Sequence, residues 1–263
     1  MNKYVKIVLS VLLTISIVLG GVGCMNIKSL NVNGKELILN NLNQKYNTDK
    51  FKIITLYRET DGNYGSYYRA VCESTDFPNE KFTAYAYLNG SDYMLNEIDE
   101  VKEIESENSV VFTDDYANII VAHQYQDVLQ SLVGDSCTIK CNITLVNSQD
   151  EISIEEINQG YEFCISNPDK DMFIQIYILS EKDNPNLNVS INSVIDEAKN
   201  NTAYGQYIYT VPYNCSKTQV LNDYYSNYDE FDTFIRYYAD YISEVEYVAI
   251  KNNGDIERKF IKE

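Results

Sequence analysis

The stretch TDDYANIIVAHQYQDVLQSLVGDSCTIKCNITLV, residues 113–146, decides the fold class. In its first two thirds Tyr116, Ile119, Ile120, Tyr125, Val128, Leu129 and Leu132 fall at helical spacing and make a broad apolar face. Thr113 suits an N-cap, and Asp114 and Asp115 sit where the helix dipole favours negative charge. Gly134 ends the helix. From Ser136 the period drops to two, with Cys137, Ile139, Cys141, Ile143 and Leu145 on one face of a strand and polar residues on the other. A helix followed by a half-buried strand predicts an α+β architecture, with helices packed on antiparallel sheets.

Upstream, the same order occurs once before. Ile38, Leu42 and Tyr46 give a helix from Gly34 to Tyr46, stopped by Asn47-Thr48-Asp49. Strands follow at Phe51–Tyr57, Tyr64–Glu73 and Phe82–Leu88, with turns at Asp61-Gly62-Asn63 and Pro78-Asn79. Asp92 to Glu105 reads as an acidic helix. Downstream, Ser153 and Glu156 form a capping box for a short helix to Gly160. Then come a strand near Tyr161–Ser166, a turn at Asn167-Pro168-Asp169 and an apolar strand from Met172 to Leu179. A helix over Ser190–Lys199, a strand over Gln206–Val211 and Tyr-rich helices within 217–241 complete the pattern, before a hairpin of 245–250 and 256–261 around Asn252-Asn253-Gly254. Two helix-plus-meander units are therefore expected, over 34–110 and 111–263. Val71-Cys72-Glu73-Ser74 echoes Phe163-Cys164-Ile165-Ser166, which suggests an internal duplication. The first unit, with its helix ending in Asn43-Gln44-Lys45-Tyr46-Asn47 ahead of meandering strands, resembles the small cystatin- or PepSY-like modules of Gram-positive lipoproteins.

The N-terminus predicts an address. Lys3 and Lys6 precede the apolar run Ile7–Gly20, and Gly21-Val22-Gly23-Cys24 follows. This order resembles the signal peptide and lipobox of bacterial lipoproteins, with Gly21 where that family carries Leu. The resemblance implies removal of residues 1–23, diacylglyceryl attachment at Cys24, and a short tether over 24–33. The alternative is an uncleaved anchor helix, since 19 residues from Val5 to Gly23 are about enough to span a bilayer. Both place the rest of the chain outside the cytoplasm, on the membrane.

Composition narrows the partners. A formal net charge of −18 disfavours nucleic acid and anionic lipid surfaces. The chain has 24 Tyr and no Trp, so its rings either form a stacking surface for a sugar or serve as half-buried packing residues. Its Asn, Ile and Lys usage resembles the coding style of low-GC Gram-positive bacteria. Of six cysteines, Cys24 is given to lipid, leaving Cys72, Cys137, Cys141, Cys164 and Cys215. Four strand residues separate Cys137 from Cys141 by roughly 13 Å, too far for a bond to each other or for a shared zinc. They are small buried hydrophobes, or one of them bridges to Cys72 or Cys164 on another strand.

No catalytic residue, cofactor or metal site is assigned. The single histidine, His123, lies mid-helix, and no G-x-S-x-G supplies a nucleophile. Asp169 and Asp171, or Asp223, Asp229, Glu230 and Asp232, could offer oxygens to calcium, but neither set fits an EF-hand. The function expected is that of a membrane-anchored extracytoplasmic binding or assembly module for a peptide, glycan or protein. An extracytoplasmic hydrolase and a small solute-binding protein are the alternatives. The candidate binding surface is Tyr224, Tyr225, Tyr228, Tyr237, Tyr238 and Tyr241, more rings than one helix buries.

Overall fold

Helical periodicity from Gly34 onward is realised as α1 (Gly34–Tyr46), in a computed structural model that describes residues 33–61, 65–88, 110–146, 151–167, 170–200, 205–214, 242, 245–251 and 255–262. Asn33 caps α1, its side chain accepting from the Lys35 N–H at 3.2 Å, and Asn47 closes it in the left-handed conformation at φ 49°. The expected acidic helix over 92–105, the Tyr-rich helices over 217–241 and the Asn252-Asn253-Gly254 turn lie outside the described residues.

The chain divides into two units: Met1–Cys72 with Ala84–Phe112, and Glu73–Thr83 with Thr113–Glu263. The first is built on a four-stranded sheet of β1 (Phe51–Asp61), β2 (Gly65–Ser74), β3 (Lys81–Leu88) and β4 (Val111–Asp114), each beside its neighbour in sequence. Period-two alternation gives the sheet two unlike faces. Ala70, Cys72, Ala84 and Ala86 are buried on one, whereas Tyr67, Arg69, Tyr85 and Tyr87 stand half-buried on the other. Ile38 and Leu42 are the fully buried side of α1, and Tyr46 meets Phe51 edge-on at 5.7 Å. Gly34 is needed for space: a Cβ there would come within 2.5 Å of the Tyr68 ring.

The second unit begins its long helix two residues later than its sequence suggests. Thr113 is not the cap, because residues 111–114 are taken into the first sheet as β4, and α2 runs Tyr116–Val133. The Asp114 carboxylate accepts from the Tyr116 N–H at 3.0 Å, and that of Asp115 from the Thr83 N–H at 2.6 Å. Ala117, Val121, Ala122, Tyr125, Leu129 and Val133 form the buried face, while Leu132 is exposed. A 3₁₀ turn at Gly134–Ser136 leads into β5 (Thr138–Leu145), which alternates as expected, with Cys137, Ile139, Cys141 and Ile143 in the core.

The five-stranded sheet has the order β5–β6–β7–β8–β9, with β6 (Met172–Glu181), β7 (Gly205–Tyr213), β8 (Val245–Lys251) and β9 (Ile256–Lys262). All neighbours are antiparallel except β6 and β7, which run parallel through the crossover helix α5 (Leu187–Asn200). The architecture is α+β and rich in antiparallel pairs, with one β–α–β step. Cys141, Ile176, Ile208 and Val248 lie in register across four strands and pack with α2 and α5 into one core. At the free edge of β5, Gln126 and Gln130, one turn apart on α2, accept from the Cys141 and Ile139 N–H groups at 3.1 and 2.9 Å. These two amides stand in for a further strand and close that edge.

The segment expected as a strand near Tyr161–Ser166 is helical instead. The capping box at Ser153 forms as read and starts α3 (Ile154–Gln159); Gly160, at φ +104°, breaks the helix, and α4 (Tyr161–Ile165) restarts it. Ile157, Tyr161, Cys164 and Ile165 thereby keep helical spacing toward the core. Cys164 thus lies on a helix and Cys72 on a strand, so the echo between their surroundings is not a duplication.

Cys137, Cys141 and Cys164 carry free, buried thiols and Cys72 is buried, so no bridge joins Cys137 or Cys141 to Cys72 or Cys164. Burial pushes the Cys164 thiol up to about 11 and raises that of Cys141 well above the ordinary thiol range. Alkylation of the native protein at mildly alkaline pH is therefore expected to spare Cys141 and Cys164 and to reach them only after unfolding. Mass mapping of a non-reduced digest that found a 137–141 bridge would overturn the strand register.

Candidate functional site

In the second unit His123 and Lys140 converge on Glu80. Its Oε1 accepts from Lys140 Nζ at 2.8 Å and lies 3.0 Å from His123 Nε2, while the His123 ring stacks on Phe77 with centroids 4.3 Å apart. Lys140 is almost fully enclosed, its side chain 7% exposed. Burial opposes ionisation of Glu80. The His123 hydrogen bond and the Lys140 charge outweigh it and hold the carboxyl at about 2. This cluster is an internal ion network. His123 is committed to a carboxylate, and the neighbouring Cys141 thiol faces the core from the opposite side of β5, as alternation requires. Among the described residues no nucleophile–base pair is therefore assembled around His123.

The first unit presents a different arrangement. On the face of its sheet opposite Ala84 and Ala86, three successive strands each contribute a pair of residues two apart: Tyr57 and Glu59 from β1, Tyr67 and Arg69 from β2, Tyr85 and Tyr87 from β3. Glu59 ties the set together. Its Oε1 accepts from Arg69 Nε at 2.9 Å and Nη2 at 2.8 Å, and its Oε2 from the Tyr67 hydroxyl at 2.6 Å. The Tyr67 hydroxyl and the Arg69 guanidinium hold the Glu59 carboxyl below its ordinary range. The guanidinium also lies over the Tyr57 ring, 4.5 Å from its centroid. Tyr67 stands 5.3 Å from Tyr87 and 6.4 Å from Tyr85, and the Tyr85 and Tyr87 rings are 6.0 Å apart and within 10° of parallel. Tyr57 is 42% exposed, and Glu59 and Arg69 are each 33% exposed. The result is a ring-lined plate whose one acid and one base are held in place and remain reachable.

Neither Cys24 nor Tyr224, Tyr225, Tyr228, Tyr237, Tyr238 and Tyr241 lies among the described residues, and the same holds for Asp169, Asp223, Asp229, Glu230 and Asp232. Among the described residues no group of three or more His, Cys, Asp or Glu is placed to hold a metal ion, and no helix there is long and apolar enough to cross a membrane. The plate on the first sheet was missed by the sequence reading. Its signal is the recurrence of Tyr with a residue two positions away on three consecutive strands, at the positions that alternate with the apolar set.

No protein-family model matches the chain, and no curated protein sequence matches it. Among solved structures it is similar to a DUF5037 family protein from Ruminococcus gnavus, with a TM-score of 0.51 and 14% identity over 86% of this chain and 93% of that one. At that identity the likeness concerns the fold alone.

Proposed function

We propose that this chain is an extracytoplasmic module, anchored to the membrane through a lipid on Cys24, that holds a polar partner on the tyrosine plate of its first unit without altering it chemically. The plate itself carries the proposal. Tyr57, Tyr67, Tyr85 and Tyr87 offer large amphipathic surface at small entropic cost, around a charge pair already fixed by its own hydrogen bonds. The anchoring half rests on the N-terminal sequence, Lys3 to Cys24.

Two measurements test it. Metabolic labelling with a fatty-acid analogue is expected to mark the wild type and to leave Cys24→Ala unmarked and unprocessed; equal labelling of both would remove the lipid anchor. Mature chain carrying Cys24→Ser is expected to sediment with purified cell envelopes, and Tyr85→Ala/Tyr87→Ala to stay in solution with an unchanged melting temperature. Loss of folding in that double variant would make the rings packing residues. A hydrolytic activity abolished by changing one or two carboxylates would replace the binding module with an enzyme.

A further inference from the structure

We propose that the partner held on the plate is a neutral saccharide chain; this rests on the plate being the binding surface. Charge comes first. Glu59 and Arg69 face each other at 2.8 Å and cancel, so the plate itself is neutral within a chain of net charge −18. An anionic ligand would approach against the field of the whole chain and would meet the Glu59 carboxylate. A cationic ligand would have to displace Arg69 from an ion pair that the Tyr67 hydroxyl also supports. An uncharged ligand meets neither penalty.

The polar groups fit hydroxyls. A sugar hydroxyl is both a donor and an acceptor, and it is best met by an acceptor and a donor side by side. The Glu59 carboxylate, held ionised, provides acceptor lone pairs, and Arg69 has more guanidinium N–H donors than its bonds to Glu59 use. The rings fit the rest of the sugar. A pyranose has an apolar C–H face bordered by hydroxyls, and the plate has tyrosine faces bordered by phenol groups. Tyr57, Tyr67 and Tyr85 come from three consecutive strands of one sheet, whose strands are spaced about 4.8 Å apart. Arg69 lies over the Tyr57 ring, and Tyr67 stands beside Tyr85 and Tyr87, so the rings are spread over three strands and suit an extended chain more than a single monosaccharide. A peptide added as a strand would use a sheet edge, whereas these rings occupy a face.

Full-length protein in detergent is to be titrated with neutral cello-, manno- and chito-oligosaccharides, with uronate-containing oligosaccharides, and with an array of unmodified peptides. The expected result is saturable binding of at least one neutral series, tightening with chain length and unchanged between low and high salt. Tyr87→Ala is expected to weaken it about tenfold or more, as for a central anchor ring, and Tyr87→Phe to keep most of it. Should Tyr87→Ala not fold, Tyr57→Ala, at the most exposed ring, is expected to give the same loss. Binding confined to uronate-containing chains, or falling steeply with salt, overturns the neutral ligand. Peptides captured at these tyrosines with no oligosaccharide bound overturn the saccharide and leave the binding surface standing. Titrations in which no ligand responds to the tyrosine variants overturn both.

Discussion

Glu80→Ala is expected to destabilise the second unit by about 3 kcal/mol, the low end of what removing one partner from a buried ion pair costs. The loss is large because Lys140, 7% exposed, would be left without its carboxylate in a site with little water, while His123 would lose its hydrogen-bond partner. The pH dependence has a definite sign. Glu80 is lowered from 4.5 to about 2 in the folded chain. Its contribution is therefore fully present above about pH 4.5 and is lost as the pH falls toward 2, amounting to about 3 kcal/mol over that window. Urea unfolding of the wild type and Glu80→Gln across this range is expected to show their difference shrinking with acidification. A difference that stays constant would mean that Glu80 is not held ionised by its neighbours.

Tyr125→Ala should cost about 4 kcal/mol, as for other large aromatic residues truncated in a core. Tyr125 is fully buried and stacks on Tyr161 at 5.3 Å, and its hydroxyl donates to Gln206 Oε1 at 3.1 Å. Gln206 in turn donates to the Ala198 carbonyl at 2.6 Å, so one side chain of α2 connects to α4, β7 and the end of α5. Tyr125→Phe keeps the ring and removes only the hydroxyl, at about 1 kcal/mol. Chemical unfolding separates the two variants. Equal losses would place the energy in the hydrogen bond and not in packing.

How far these features could be read from sequence depends on whether their cause is local. Asn47 closes α1, and Ser153 with Glu156 caps α3, through bonds within four residues, and each is visible in the chain itself. The alternation of β5 is equally local, and it put Cys137 and Cys141 in the core correctly. The start of α2 was misplaced because pairing of residues 111–114 into a sheet overrides a good cap at Thr113. Residues 161–165 were misread because Gly160 interrupts a helical period that continues through Cys164 and Ile165. Lys140 sits among the polar residues of β5 by pattern, and its burial depends on Glu80, 60 residues away, which no local rule supplies. The parallel pairing of β6 and β7 was within reach, since strand, helix and strand were each recognised, but their adjacency is a property of the sheet. The tyrosine plate was hidden for a similar reason. Tyr57, Tyr67, Tyr85 and Tyr87 are unremarkable one at a time among 24 tyrosines, and become a surface only when β1, β2 and β3 lie side by side.

The central claim is that this plate, and not another tyrosine cluster, meets the partner. Tyrosine nitration of the mature protein, mapped by mass spectrometry with and without bound cell envelope, tests it most directly. Tyr57, Tyr85 and Tyr87 are expected to nitrate in the free protein and to be protected in the bound one, while the buried rings of Tyr125, Tyr177 and Tyr209 stay unmodified in both. Protection that instead falls on Tyr224 to Tyr241, with Tyr57, Tyr85 and Tyr87 modified equally in both states, would contradict the account.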